Sequence, residues 1–168
     1  MQALTNRTFD EIDIGTATHV TRTFYHTDVE ALALVAGDVD AFHIDQQEPA
    51  RDRADDSVVA EAASAGALLS SILNRRLPGP GTVILAEQFA FQGWIAVGDR
   101  LTATVTAQEK RPEGHVIVFE CRCVNQHGDT LLTGTATVAH QGSHADHALT
   151  DDAVPCRLQR GESRLLDL

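Results

Sequence analysis

Four runs in the second half of the chain alternate apolar and polar residues: TVILAEQFAF (82–91), RLTATVTAQEK (100–110), HVIVFECRCVN (115–125) and TLLTGTATVAH (130–140). A period of two marks a strand with one face against a core. Their separators, QGWIAVGD, RPEG and QHGD, are turn material, and links this short predict an antiparallel meander. Ahead of them the pattern changes. The stretch from Ser57 to Leu77, SVVAEAASAGALLSSILNRRL, is rich in Ala and Leu and free of proline. It predicts one long helix that Ser57 could cap. Glu61 is its only charge before Arg75, and a helix with so little polar surface is expected to be buried all round. PGPG (78–81) stops it.

Earlier in the chain, THVTRTFYH (18–26) reads as a strand with Val20, Arg22, Phe24 and His26 on one face. The helix that follows opens with Thr27 and Glu30 at capping-box spacing and Asp28 in its first turn. Val29, Leu32 and Val35 give it an apolar stripe, and Gly37 terminates it. Residues 1–15 and the polar stretch 141–168 show no period and are expected to be a loose lead-in and a mobile tail. Between them, residues 16–140 form one α+β domain. A long central helix precedes a long-stranded antiparallel sheet, whose twist lets it curve around that helix. One such domain leaves a sheet edge or part of the helix uncovered, and a second copy is the expected cover.

Length and charge narrow the function. A chain of 168 residues suits one domain, and 43% hydrophobic with 22% charged residues is ordinary for a globular core. A net charge of -11 argues against general nucleic-acid binding. It admits a small polyanion only where arginines gather, and Arg75, Arg76, Lys110 and Arg111 are the basic pairs on offer. No stretch approaches the ~18 apolar residues of a membrane span, and MQALTNRTFDEIDIG lacks the basic start and apolar core of a secretion signal. Cys121 and Cys123 alternate along one strand instead of forming a metal knuckle. They are expected to be reduced, buried thiols of a cytoplasmic protein. His140, His144, Asp146 and His147 have helical spacing, but Gly142 and Ser143 interrupt them and no cysteine joins them, so no metal is expected.

The stretch AGDVDAFHID, from Ala36 to Asp45, holds three aspartates and a histidine just past the first helix. Read from its residues alone it is either a polar loop or an acid–base pair. A carboxylate and an imidazole on one tight loop can grip a water between them. Asp38 and His43 could then take a proton from that water and return one to a substrate carbon.

AGDVDAFHID resembles the signature of the MaoC-like family of (R)-specific enoyl-CoA hydratases, S/T-G-D-x-N-P-x-H-x-D. Gly37, Asp38, His43 and Asp45 fall on its Gly, Asp, His and Asp without a gap. LPGPGT (77–82) resembles that family's helix-to-strand junction, GWIAVGDRLTATV (93–105) its next strand start, and VNQHGDTLLTGTATV (124–138) its last hairpin. The resemblance implies a hot-dog fold and a homodimer or higher homo-oligomer. It also implies reversible hydration of a trans-2-enoyl-CoA to an (R)-3-hydroxyacyl-CoA, with the coenzyme A thioester as substrate and no cofactor. By the same resemblance Asp38 and His43 share the catalytic water, the Ala62 amide meets the thioester oxygen, and Ser70 faces the active site. Asp40 and Ala41 replace the family's Asn and Pro, and Glu61-Ala62 replaces its His-Gly; a four-residue slip would put Gly66 there instead. Glu61 also suggests an alternative, a hot-dog thioesterase, and the altered residues suggest another, a non-catalytic acyl-binding or partner subunit.

Overall fold

A computed structural model describes residues 4–36, 59–60, 63–140 and 146–147. Five strands form the main sheet: β2 (Ala17–Thr23), β4 (Thr82–Phe91), β6 (Arg100–Arg111), β7 (Val116–Val124) and β8 (Thr130–His140). All pair antiparallel in the order β2-β6-β7-β8-β4. The four alternating runs are strands β4, β6, β7 and β8 almost to the residue. The period-two pattern is also the burial pattern: Leu101, Ala103, Val105 and Ala107 of β6 point to the core, as do Ile117, Phe119, Cys121 and Cys123 of β7. Register aligns them with Leu132, Ala136 and Val138 of β8, so one continuous apolar face results.

The meander is shorter than expected. Only β6, β7 and β8 are consecutive neighbours, while β4 pairs with β8 on the far side. The link 92–99 therefore crosses the ends of two strands, β8 and β7. Three strand spacings are ~14 Å, well within the ~26 Å that eight residues can span. Part of that link, β5 (Ile95–Ala96), pairs with β3 (Val59–Ala60). This corrects the expected helix start at Ser57: the β-branched Val59 lies in an extended segment, and the described helix α2 runs Ala63–Arg75. Nor is α2 buried all round. Ala65, Leu69, Ile72 and Leu73 sink into the sheet, whereas Ala63, Ala67, Ser71 and Asn74 are exposed. The sheet wraps one side, and the small residues on the other leave little apolar surface to hide.

Helix α1 spans His26–Ala36. Its cap sits earlier than the Thr27–Glu30 spacing predicted: the Tyr25 N–H donates to Asp28 Oδ2 at 2.9 Å. An acid three positions into the helix thus satisfies the capping residue's own amide. The Arg22 guanidinium, at the end of β2, pairs with the same carboxylate.

Residues 6–15 are not loose. Phe9 and Ile12 are buried, the Arg7 N–H donates to the Pro78 carbonyl at 2.8 Å, and Lys110 lies over the Phe9 ring at 4.4 Å. The period was invisible because these residues form a 3-10 turn, Phe9–Glu11, between contacts. Two tail residues are also placed: β9 (Asp146–His147) pairs with β1 (Leu4–Thr5). Among the described residues, no helix is long and apolar enough to cross a membrane.

Candidate functional site

Asp38, His43 and Ala62 lie outside the described residues, as do Asp40, Ala41 and Glu61. The elements that carry them are in place. Helix α1 ends two residues before Asp38, and α2 begins at the residue after Ala62. The two helices face each other across a cavity of about 310 Å³, lined from α1 by Asp28, Ala31 and Leu32 and from α2 by Ser64, Ala67, Leu68 and Ser71. The α2 residues follow i, i+3, i+4, i+7 spacing, which places them on one stripe of the helix. Phe24 and the Arg22–Asp28 ion pair complete the wall.

Ser70 is on another side of α2, turned toward β4. Its Oγ is 2.7 Å from Glu87 Oε1 and 3.1 Å from the Gly66 carbonyl. One hydroxyl hydrogen serves these two acceptors, and the shorter, charge-assisted bond is the stronger. Glu87 pairs in register with Ala136, a buried residue, so it occupies an inward position of β4. Alternation alone missed it because a register shift between Ile84 and Ala86 breaks the period just upstream. The local approach of β4 to α2 depends on glycine. The Phe89 ring fills the space between Gly66 of α2, where a Cβ would lie 3.4 Å from the ring, and Gly134 of β8, where it would lie 2.8 Å away.

Among the described residues, two buried thiols and a buried imidazole have shifted pKa values. Burial pushes the Cys121 thiol up to about 12, with the Glu87 charge adding to it, and pushes Cys123 up to about 11. Thiols held protonated are poor nucleophiles. His140, weighed above as a metal ligand, is buried in a polar network instead. Its Nε2 lies 3.0 Å from Asn6 Nδ2 and its Nδ1 lies 3.4 Å from Thr82 Oγ1, which donates to the Gly79 carbonyl at 2.6 Å. An Asn6 amide can only donate through nitrogen, so Nε2 accepts and Nδ1 carries the hydrogen. Burial lowers the His140 pKa. Among the described residues no group of His, Cys, Asp and Glu could hold a metal.

Three of the four basic side chains considered for phosphate contacts are engaged. Arg76 donates to the His19 carbonyl at 3.0 Å, Lys110 covers Phe9, and Arg111 forms two hydrogen bonds to Glu109.

No family model matches the chain. It is 27% identical over 130 residues to an (R)-specific enoyl-CoA hydratase of Rhodospirillum rubrum, a match covering 77% of this chain and 89% of that protein. It is likewise 27% identical over 130 residues to a 3-hydroxybutyryl-CoA dehydratase of Methylorubrum extorquens, covering 77% and 82%. Among solved structures, the unliganded R-hydratase PhaJ1 of Pseudomonas aeruginosa superposes with a TM-score of 0.83 at 25% identity. That likeness covers 89% of this chain and 96% of that one. The curved sheet around a central helix is the hot-dog fold.

Proposed function

We infer that this hot-dog domain, which fits the MaoC-like family of hydratases and dehydratases, adds water to a trans-2-enoyl thioester or removes it from the (R)-3-hydroxyacyl thioester. The observation that carries this reading is the match over 130 residues to two proteins named for opposite directions of one reaction. The 0.83 superposition on a third supports it.

The chemistry assigns a role to each candidate residue. The Asp38 carboxylate takes a proton from a water that His43 also holds, and the hydroxide adds to the β-carbon. Electron density moves onto the thioester oxygen, where a backbone N–H such as that of Ala62, the residue before α2 in sequence, stabilises it. A proton returned through the Asp38–His43 pair completes the α-carbon. Water and thioester are the only reactants, so no cofactor is required. Ser70, tethered by Glu87, would lie along the substrate on the β4 side of α2.

The reading extends to the assembly. Strand β4 is an edge of the sheet, and its Val83, Leu85 and Phe91 are more than half exposed. An apolar edge strand is an aggregation liability unless covered. A second copy laid against it would form a two-fold dimer.

The deciding experiment offers the protein enoyl-CoA and saturated acyl-CoA substrates in parallel. Double-bond absorbance and thiol release are followed separately. Loss of the double bond with the thioester intact is the expected result. Thiol release from saturated substrates would instead mark a thioesterase, and neither signal would end the enzymatic reading.

A further inference from the structure

The cavity between α1 and α2 contains a polar atom that the protein leaves unsatisfied. Ser64 is 5% exposed, lines the cavity, and its Oγ has no hydrogen-bond partner. A serine deep in a helix normally returns its hydroxyl to the carbonyl four residues earlier. Ser64 sits in the first turn of α2, and the residue four earlier, Ala60, belongs to strand β3, so that bond is not made. Buried polar groups are almost always paired, and each exception calls for a reason. Alanine or leucine at this position would pack without the penalty.

The surroundings define what could pair with it. Phe24, Ala31, Leu32 and Leu68 give the cavity apolar walls. Among the described residues that line it, the only charges, Arg22 and Asp28, neutralise each other, and Asp28 is further occupied by the Tyr25 amide. Among these residues no uncompensated charge is left for a phosphate or carboxylate. A volume of about 310 Å³ holds about ten water-sized groups at ~30 Å³ each, near the lower end of small-ligand sites.

We propose that this cavity binds a neutral, mostly apolar chain of about ten heavy atoms bearing one hydrogen-bonding group, which the Ser64 hydroxyl receives. Resting on the thioester reading above, the chain is part of the thioester substrate. Two parts of such a molecule have this chemistry, the acyl chain with its thioester carbonyl and the stretch of the pantetheine arm around one of its amides, and the experiment separates them.

Binding of saturated thioesters, which cannot be hydrated, is measured by calorimetry with acyl groups of increasing length on two carriers, coenzyme A and ethanethiol, which has no amide. The proteins are the wild type, Ala67→Leu, which fills the cavity from an exposed helix position, and Ser64→Ala, which removes the hydroxyl. Ala67→Leu is expected to raise Kd at least tenfold. Ser64→Ala is expected to raise it about three- to tenfold, the worth of one neutral hydrogen bond. It should also raise the Tm of the unliganded protein by about 2–4 °C, because an unsatisfied group is gone. A serine of purely structural value would not give this opposition between stability and binding. If the acyl chain occupies the cavity, the losses grow with acyl length on both carriers. If the pantetheine arm does, they are uniform with length and disappear on ethanethiol. Wild-type Kd values in both variants, or no thioester binding by the wild type, overturn the proposal. Should Ala67→Leu not fold, Ser64→Ala carries the test. Because no turnover is involved, a protein that binds but does not hydrate enoyl-CoA overturns the functional reading and not this one.

Discussion

Replacing Gly134 by alanine tests how β4 is held against α2. The backbone at Gly134 is not left-handed, so an alanine there would fit on conformational grounds. At an open strand position the change would even stabilise by about 0.5–1 kcal/mol, since glycine costs that much entropy. Space reverses the sign. The new Cβ would lie 2.0 Å from the Gln88 carbonyl oxygen and 2.8 Å from the Phe89 ring. A carbon and a carbonyl oxygen ordinarily approach no closer than ~3.3 Å, so the strands must part by about 1 Å or more. Overpacking costs ~1–3 kcal/mol, and a stretched ladder bond opposite Phe89 adds ~0.5–1.5 kcal/mol. The expected loss is about 3 kcal/mol, or a Tm lower by about 6–12 °C for a domain of this size. Urea unfolding should show a lower midpoint with an unchanged slope. Adding Phe89→Ala removes the 2.8 Å contact but leaves the 2.0 Å one, so the double variant should remain less stable than Phe89→Ala alone. A Gly134→Ala protein as stable as the wild type would refute the packing argument, and with it the claim that the approach of β4 to α2 depends on glycine.

Asp38→Asn and His43→Ala should each lower crotonyl-CoA hydration by about two orders of magnitude or more, the scale of a lost acid–base group; near wild-type turnover in either would sink the assignment. Burial lowers the His140 pKa below its ordinary 6.5, so the unfolded chain binds the extra proton first and stability falls as pH drops below 6.5. The Tm should therefore decrease between about pH 7.5 and about 5.5, by less in His140→Gln. Leu85→Lys places a charge on the exposed edge of β4 and should turn a dimer into a monomer by light scattering; an unchanged mass would move the interface elsewhere.

The main sheet was legible because its strands carry one buried face each, and burial on one face leaves a period of two in the sequence. What the pattern cannot carry is neighbour order. The run 82–91 looks the same whether it pairs with β6 or, as it does, with β8. The helix start escapes the pattern because Val59-Ala60 continues the apolar composition of α2 while forming a strand against Ile95–Ala96, a contact some 35 residues away. Residues 6–15 were misread for a related reason. Phe9 and Ile12 anchor the segment singly, and two anchors in a 3-10 turn make no period.

The candidate site divides along the same line. Asp38 and His43 are chemically conspicuous and close in sequence, so a motif could point to them. The residues that shape the space around α2 are conspicuous only by what they omit. Gly66 and Gly134 lack the side chains that would displace Phe89, and Ala67 leaves room that a leucine would close. Ser64 is the sharper case, since it buries a hydroxyl where an aliphatic group would stabilise the fold. In sequence all four look like ordinary small residues of a helix or strand. Their meaning comes from what would collide with, or pair with, the atoms they lack or expose. Replacing Ser64 by alanine would therefore favour the fold locally while removing the hydroxyl a substrate needs, and stability and binding should move in opposite directions at this position of α2.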